Sequence, residues 1–402
     1  MVGRFLALDG LRGLLALYIL LGHTIPFLDL PPALAGLGDL LSHGRAAVAL
    51  FFVLSGLVIL GSIEKFATLP HPTARFLLAR AGRLIPVYAL ALALAALALS
   101  LGDPFPAMGW LSPGGAAHDI VESGWPHSAL WHVMAHALLL QGLLPPALLP
   151  NAEFSILGPA WSLSTEWQFY ALAGLALASF GRRVTSTVGL RYCVTTLLLL
   201  GILGLGNDAL PAEWQFGRAF LPQEAWYFAL GIASFGLMRR PDDRAARILV
   251  ALTLTASCIM SGVGTNPAAV LVPLAWVLCL ICQNPTRAPS VVRAACHWGY
   301  RLLTSPILLW AGRMSYALYL THAPVQRLLM LWLAPRADGD WHRFTLSFMG
   351  PAIALPLLVA LVVHHRWEEP VRHWSQRRAT AKDAFRLRPY ASDSNTSAAG
   401  QP

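Results

Sequence analysis

The feature that most constrains this chain is a succession of apolar runs too long and too frequent for a water-soluble core. They fall at about 11–28, 44–62, 83–101, 161–180, 190–206, 222–238, 247–262, 267–283, 314–333 and 344–365. About twenty apolar residues coiled as an α-helix cross the roughly 30 Å of bilayer hydrocarbon. A helix also satisfies its own backbone polar groups there. Charged residues are 12% of the 402 positions against 56% hydrophobic, where a soluble domain carries about a quarter charged. The expected fold class is therefore all-α, a polytopic membrane helical domain with about ten transmembrane helices.

Charge supplies an orientation. With ten crossings, all but five of the 29 lysines and arginines fall on the side of the termini, the exceptions being Arg45, Arg218, Arg327, Arg336 and Arg343. Cytoplasmic loops are the ones enriched in Lys and Arg, so both termini are expected in the cytoplasm. The net charge of +9 is then a membrane-topology signal, and no nucleic-acid partner is expected. Residues 102–160 contain no Lys or Arg but do contain Asp103, Asp119, Glu122 and Glu153, which suits an external segment. Within it, 129–144 is apolar but broken by His132, His136 and Gln141. A crossing there would invert every later loop, so it is read as re-entrant or interfacial. The first apolar run has no small-residue cleavage site after it and reads as a retained helix. The expected organisation is one membrane domain over 1–378 and a flexible cytoplasmic tail over 379–402.

Ionisable side chains inside apolar spans are costly, so each is a candidate functional group. Arg12 and His23 lie eleven steps apart, nearly on one helix face and roughly 16 Å apart along the axis. The pair equally fits a snorkelling arginine and a packing histidine. Glu166 lies about five residues into the run that opens with Trp161, at a depth that matches His23; a nearby carboxylate can orient an imidazole and raise its basicity. Partial hydration at an interfacial tryptophan belt would explain Glu166 as well. Arg80 and Arg83 stand three apart on one helical face and can clamp phosphate, although ordinary positive-inside charge has the same appearance. His322, above Ser315, Tyr316 and Tyr319, can line the same polar path or bond a neighbouring helix. No metal site is expected: His132 and His136 lack a third ligand and are given a surface explanation, and Cys279 and Cys282 sit inside an apolar helix. Trp367-Glu368-Glu369-Pro370 reads as a capped cytoplasmic helix end. Trp110, Trp125 and Trp131 in the external segment can stack on a sugar ring or anchor at the interface.

Five segments in order resemble the acyltransferase 3 family of bacterial membrane proteins, which acylate O-antigen, exopolysaccharide and macrolides. They are Leu8-Asp9-Gly10-Leu11-Arg12-Gly13 through Gly22-His23; Phe51-Phe52-Val53-Leu54-Ser55-Gly56; Arg80 through Pro86; Trp161 through Tyr170; and Met314 through His322. They extend over roughly residues 4–375. The resemblance implies a ten-helix core and acyl transfer from acyl-coenzyme A, acetyl-coenzyme A by default, to a hydroxyl, often of a carbohydrate, in the bacterial inner membrane. It places the family's Arg-x10-His pair on Arg12 and His23, its Arg-x-x-Arg on Arg80 and Arg83, and its acid on Glu166. A departure is Thr165-Glu166-Trp167, where the family usually has two adjacent acids or a small residue before the acid. The hydrolase-like C-terminal domain of some members is not found in this sequence.

The expected chemistry follows. His23, oriented by Glu166, would act as general base with Arg12 in the catalytic set. Arg80, Arg83 and Arg12 would hold coenzyme A phosphates at the cytoplasmic mouth. Ser55, Tyr316, Tyr319 and His322 would line the substrate path, with Ser55 or a tyrosine as oxyanion donor. No tightly bound cofactor is expected, only acyl-coenzyme A as co-substrate. The rival expectation is a proton-coupled secondary transporter using His23, Glu166 and His322 as a relay, although the paired, interrupted half-repeats of such transporters are not found.

Overall fold

The computed structural model describes residues 6–118, 120–263, 271–283 and 290–381. All of its regular structure is helical: α1 (Leu6–Thr24), α2 (Ala35–Leu41), α3 (Gly44–Phe66), α4 (Pro72–Ser100), α5 (Ala129–Ala137), α6 (Trp161–Phe180), α7 (Thr187–Leu205) and α8 (Leu221–Arg239) come first. They are followed by α9 (Arg244–Val263), α10 (Leu271–Cys282), α11 (Ser290–Leu303), α12 (Pro306–Arg313), α13 (Ser315–Leu333), α14 (Trp341–Val363) and α15 (Glu369–Thr380). Starts are set locally where side chains meet free amide groups. The Ser186 side chain accepts from Gly189 N ahead of α7, and Asp340 accepts from Arg343 N ahead of α14.

The expectation of about ten crossings is overturned. Among the described residues five helical stretches are long and apolar enough to cross a membrane: Leu6–Phe27, Pro32–Phe66, Pro72–Ser100, Thr187–Ala209 and Trp341–Thr380. The protein is a multi-pass membrane protein with an all-α domain, with five such candidate spans among the described residues. Helices do lie on the other apolar runs, and what they lack is apolarity or length. α6 carries Ser162, Ser164, Glu166 and Gln168; α8 opens with Gln223 and Glu224; α13 holds Thr321, His322, Gln326 and Arg327; α9 opens on two arginines; α10 is described over twelve residues, about 18 Å. Fourteen of the nineteen residues of α8, and fourteen of nineteen in α13, are buried by neighbouring helices. Such helices answer to protein neighbours and not to lipid, and can carry polar groups. The expectation that both termini share the cytoplasmic side rested on the even count and falls with it.

Residues 129–144 contain only the nine-residue α5 and a short turn at Gln141–Leu143, about 14 Å of α-helix and too short to cross. Of the expected tail, residues 382–402 lie outside the described residues. Residues 379–381 are held: the carbonyls of Ala379 and Ala381 accept from buried Arg75 of α4 at 2.7 and 2.8 Å.

The main core brings α1, α3, α4, α6, α8 and α13 together. Small residues allow the closest approaches, as in membrane helix pairs generally. Where α3 crosses α8, a Cβ on Gly56 would lie 2.3 Å from Phe228 O, and one on Gly231 would lie 2.1 Å from Val53 O. α13 is central, packed on α1, α4 and α14. Around Pro86, where α4 loses an N–H, neighbours add donors: Tyr316 to Leu84 O at 2.7 Å and Trp367 to Pro86 O at 3.1 Å. A second cluster packs Phe27, Phe344 and Phe348 with Met108, Ala117 and Val121.

Candidate active site

α1 carries Arg12 near its start and His23 at its end, and the structure gives them separate surroundings. At the arginine end, a cavity of about 70 Å³ is lined by Arg12, Ser55, Arg83, Glu166, Ser315, Tyr316 and Tyr319. At the histidine end, one of about 270 Å³ is lined by His23, Arg45, Arg218 and Tyr319 among mostly apolar groups. Val48 and Tyr319 line both. The two cavities therefore adjoin across one aliphatic and one phenolic side chain.

His23 is partnered by another histidine. His322 Nε2 lies 2.9 Å from His23 Nδ1, and His322 Nδ1 lies 3.1 Å from Leu318 O. A carbonyl only accepts, so His322 carries its proton on Nδ1 and presents a lone pair at Nε2. That lone pair accepts the Nδ1 proton of His23, which leaves His23 Nε2 without a proton. The pair thus fixes one tautomer of His23, the one with a basic Nε2. Gln326, one turn along α13, donates to Thr24 Oγ1 at 2.8 Å and to Ala352 O at 3.2 Å, which holds α1, α13 and α14 in register.

The expected pairing of Glu166 with His23 is not what the structure contains. Ser55 Oγ donates to Glu166 Oε1 at 2.7 Å, and Tyr170 donates to the same oxygen. Both partners come from the arginine end, where Glu166 faces Arg12 and Arg83. Matching depth along two helices left their separation across the bundle open, and the packing of α6 against α3 and α4 turns Glu166 toward the arginines. Arg12 also meets Asp9 Oδ1 at 3.4 Å. Arg80 and Arg83 are neighbours without forming one clamp. Arg83 lines the cavity, whereas Arg80 is buried against Phe76 and Tyr170, its guanidinium carbon 5.9 and 5.4 Å from the ring centres. Arg80 Nε and Nη1 have no hydrogen-bond partner among the described residues.

The expected oxyanion donors are already committed. Ser55 gives its proton to Glu166, Tyr316 is directed at Leu84 O, and Tyr319 at Pro159 O at 2.8 Å. Each hydroxyl has one proton, so none has a spare donor in this arrangement.

Outside these cavities, His132 and His136 are buried, which corrects their surface explanation. His132 Nδ1 meets Ser155 Oγ at 2.8 Å and His136 Nε2 meets Ala152 O at 3.0 Å. Burial pushes His136 down to about 4, against the opposing bond to the Ala152 carbonyl. Neither Trp110, Trp125 nor Trp131 lines the histidine cavity. Arg45, Arg218 and Arg327 had been noted only as exceptions to the charge bias. The first two prove to line the histidine cavity. Arg327 is 5% exposed and bonds the carbonyls of Ala98 (3.2 Å), Gly102 (2.5 Å), Ser123 (3.2 Å) and Glu122. An arginine inside an apolar run was itself the available signal.

A family model described as an acyltransferase domain matches residues 5–364. A protein of Rhizobium radiobacter described as protein 2 in picA locus is 34% identical over 187 residues, covering 45% of this chain and 85% of that relative. No solved structure matches.

Proposed function

This chain belongs to that acyltransferase family, and on this premise we propose that it transfers an acyl group, acetyl by default, from acyl-coenzyme A to a hydroxyl of a carbohydrate or related acceptor in the bacterial inner membrane. The observation that carries the reading is that Val48 and Tyr319 border both an arginine-lined cavity and one holding a histidine of fixed tautomer, so the two cavities adjoin. Arg83 and Arg12, with buried Arg80 behind them, would receive the phosphates of the donor. The acyl-pantetheine arm would extend past Val48 and Tyr319 toward His23. His23 Nε2 would take the proton of the acceptor hydroxyl as its oxygen attacks the thioester carbonyl. The carbon–sulfur bond then breaks, and the coenzyme A thiolate leaves and takes the proton back from His23. Glu166, held by Ser55 and Tyr170, would serve as the counter-charge that keeps Arg12 and Arg83 in place.

The transport reading loses its relay, since Glu166 does not join the two histidines. The acyl-transfer reading is tested by acetyl-coenzyme A binding to the purified protein in detergent. Saturable binding that Arg80→Ala/Arg83→Ala weakens is the expected result. Absence of binding across acetyl and longer acyl donors would overturn it.

A further inference from the structure

Between α14 and α15 the helix widens into one π turn, His364–Glu368, a feature found frequently at functional positions. In a regular α-helix successive residues point about 100° apart, and residues five apart do not share a face. Here they converge. His364 Nε2 stands 3.7 Å from Glu369 Oε1, and His365 Nδ1 stands 3.5 Å from Glu369 Oε2. The three side chains bring one ligand atom each within 4.8 Å of the others. Donors set tetrahedrally around a zinc-sized ion are about 3.3 Å apart. Each histidine is within a few tenths of an ångström of that from one oxygen of Glu369, and gathering all three on one ion from separations of up to 4.8 Å takes rotation of the exposed His365 and partly exposed Glu369 side chains.

The buried side of the cluster is arranged as metal-bound histidines are. His364 Nδ1 lies 2.8 Å from Glu368 Oε2, with both side chains buried. An ionised carboxylate only accepts, so Nδ1 carries the proton and Nε2 keeps a lone pair toward Glu369. The other side is open: His365 and Glu369 line a surface pocket together with Lys65, His373 and Arg377. Arg372 Nη2 lies 3.5 Å from Glu369 Oε1, the oxygen that meets His364, so an ion held by both histidines must compete with Arg372 for this carboxylate.

We propose that His364, His365 and Glu369 form a site for a divalent transition metal of the zinc class, with Glu368 orienting His364 and pocket water as the fourth ligand. Imidazole and carboxylate donors suit such ions. From the sequence no metal was expected at His132 and His136 or at Cys279 and Cys282; His364 and His365 were not considered, and an α-helical register would not bring them onto one carboxylate. The ion fastens the corner whose Trp367 donates to Pro86 O of α4, the helix that also carries Arg83. The proposal is independent of the acyl-transfer reading and its test needs no catalysis.

The test is Co²⁺ and Zn²⁺ uptake by the full-length protein, purified in detergent without a histidine tag and stripped by chelator. One equivalent of Co²⁺ with the visible spectrum of a four-coordinate centre, displaced by Zn²⁺, is expected. His365→Ala and Glu369→Gln, both at partly exposed positions, should abolish that signal while eluting as the wild type does. Glu368→Gln should weaken uptake by about 10- to 100-fold. A Zn²⁺-dependent rise in the wild-type Tm, absent in His365→Ala, is the second readout. No uptake by the wild type, or uptake unchanged in both His365→Ala and Glu369→Gln, would overturn the proposal.

Discussion

Replacing His322 with alanine tests whether His23 is held by a histidine. His322 receives one hydrogen bond from His23 at 2.9 Å and spends its own proton on Leu318 O. A buried hydrogen bond between neutral groups contributes about 1 kcal/mol net, and leaving its donor unpaired costs about 1–3 kcal/mol. Without His322 the ring of His23 also divides between two tautomers, only one of which has a bare Nε2. A combined loss of about 1–2 kcal/mol corresponds to a roughly 5- to 30-fold fall in kcat. Removal of the general base itself costs about 10²–10⁴-fold. The expected order is thus a modest loss for His322→Ala, a deep loss for His23→Ala, and a double variant no worse than His23→Ala. The assay is release of free coenzyme A thiol by purified protein in detergent, with the elution profile as the check on folding. Glu166→Gln belongs in the same series and should change KM for acyl-coenzyme A more than kcat. A loss in His322→Ala as deep as in His23→Ala would refute the assignment of the base. A Glu166→Gln variant that matches His23→Ala in kcat with KM unchanged would restore the carboxylate–imidazole pairing.

Two further outcomes concern stability. His136 is held neutral with a pKa of about 4 against 6.5 for a free histidine, so the unfolded chain binds the extra proton between those values. Its contribution is complete above pH 6.5, falls as the pH drops toward 4, and totals about 3 kcal/mol; Tm should therefore drop more steeply over that window in the wild type than in His136→Gln, and equal slopes would contradict this. Gly231→Ala places a Cβ 2.1 Å from Val53 O and 2.7 Å from Leu57 N, which should destabilise by about 1–3 kcal/mol or more. Gly61→Ala on the same α3, with nothing within 4 Å, should be neutral or stabilising by the better helix propensity of alanine, and thermal unfolding of the two in detergent separates close packing from a general effect.

The helical class was legible in the sequence, and so were several of the polar residues that line the two cavities, because lipid makes a polar group in an apolar run conspicuous. The number of crossings was not. A hydropathy pattern cannot distinguish a lipid-facing helix from one such as α13, whose surroundings are other helices, and a charge count inherits that error. Depth along a helix was also readable, and it put Arg12 and His23 at opposite ends. Rotation was not, since which neighbour a side chain meets depends on how the helices pack. That is why Glu166 joined the wrong end and His322 was left with two possible roles. The commitment of the Tyr316 and Tyr319 hydroxyls depends on backbone carbonyls near Pro86 and at Pro159, acceptors that no side-chain motif reveals. The metal cluster needs a π turn, which breaks the periodicity that sequence reading relies on.

Arg327 has a consequence for how the histidine end opens. Its acceptors come from the end of α4 and from the segment whose Ala116 and Ile120 line the His23 cavity. Lifting that segment would strand a buried cation, a cost of several kcal/mol, so it has no inexpensive local opening and shares a cooperative unit with α4 and α13. A substrate that reaches His23 from this end would therefore do so with that segment in place, in a cavity whose cationic lining is Arg45 and Arg218.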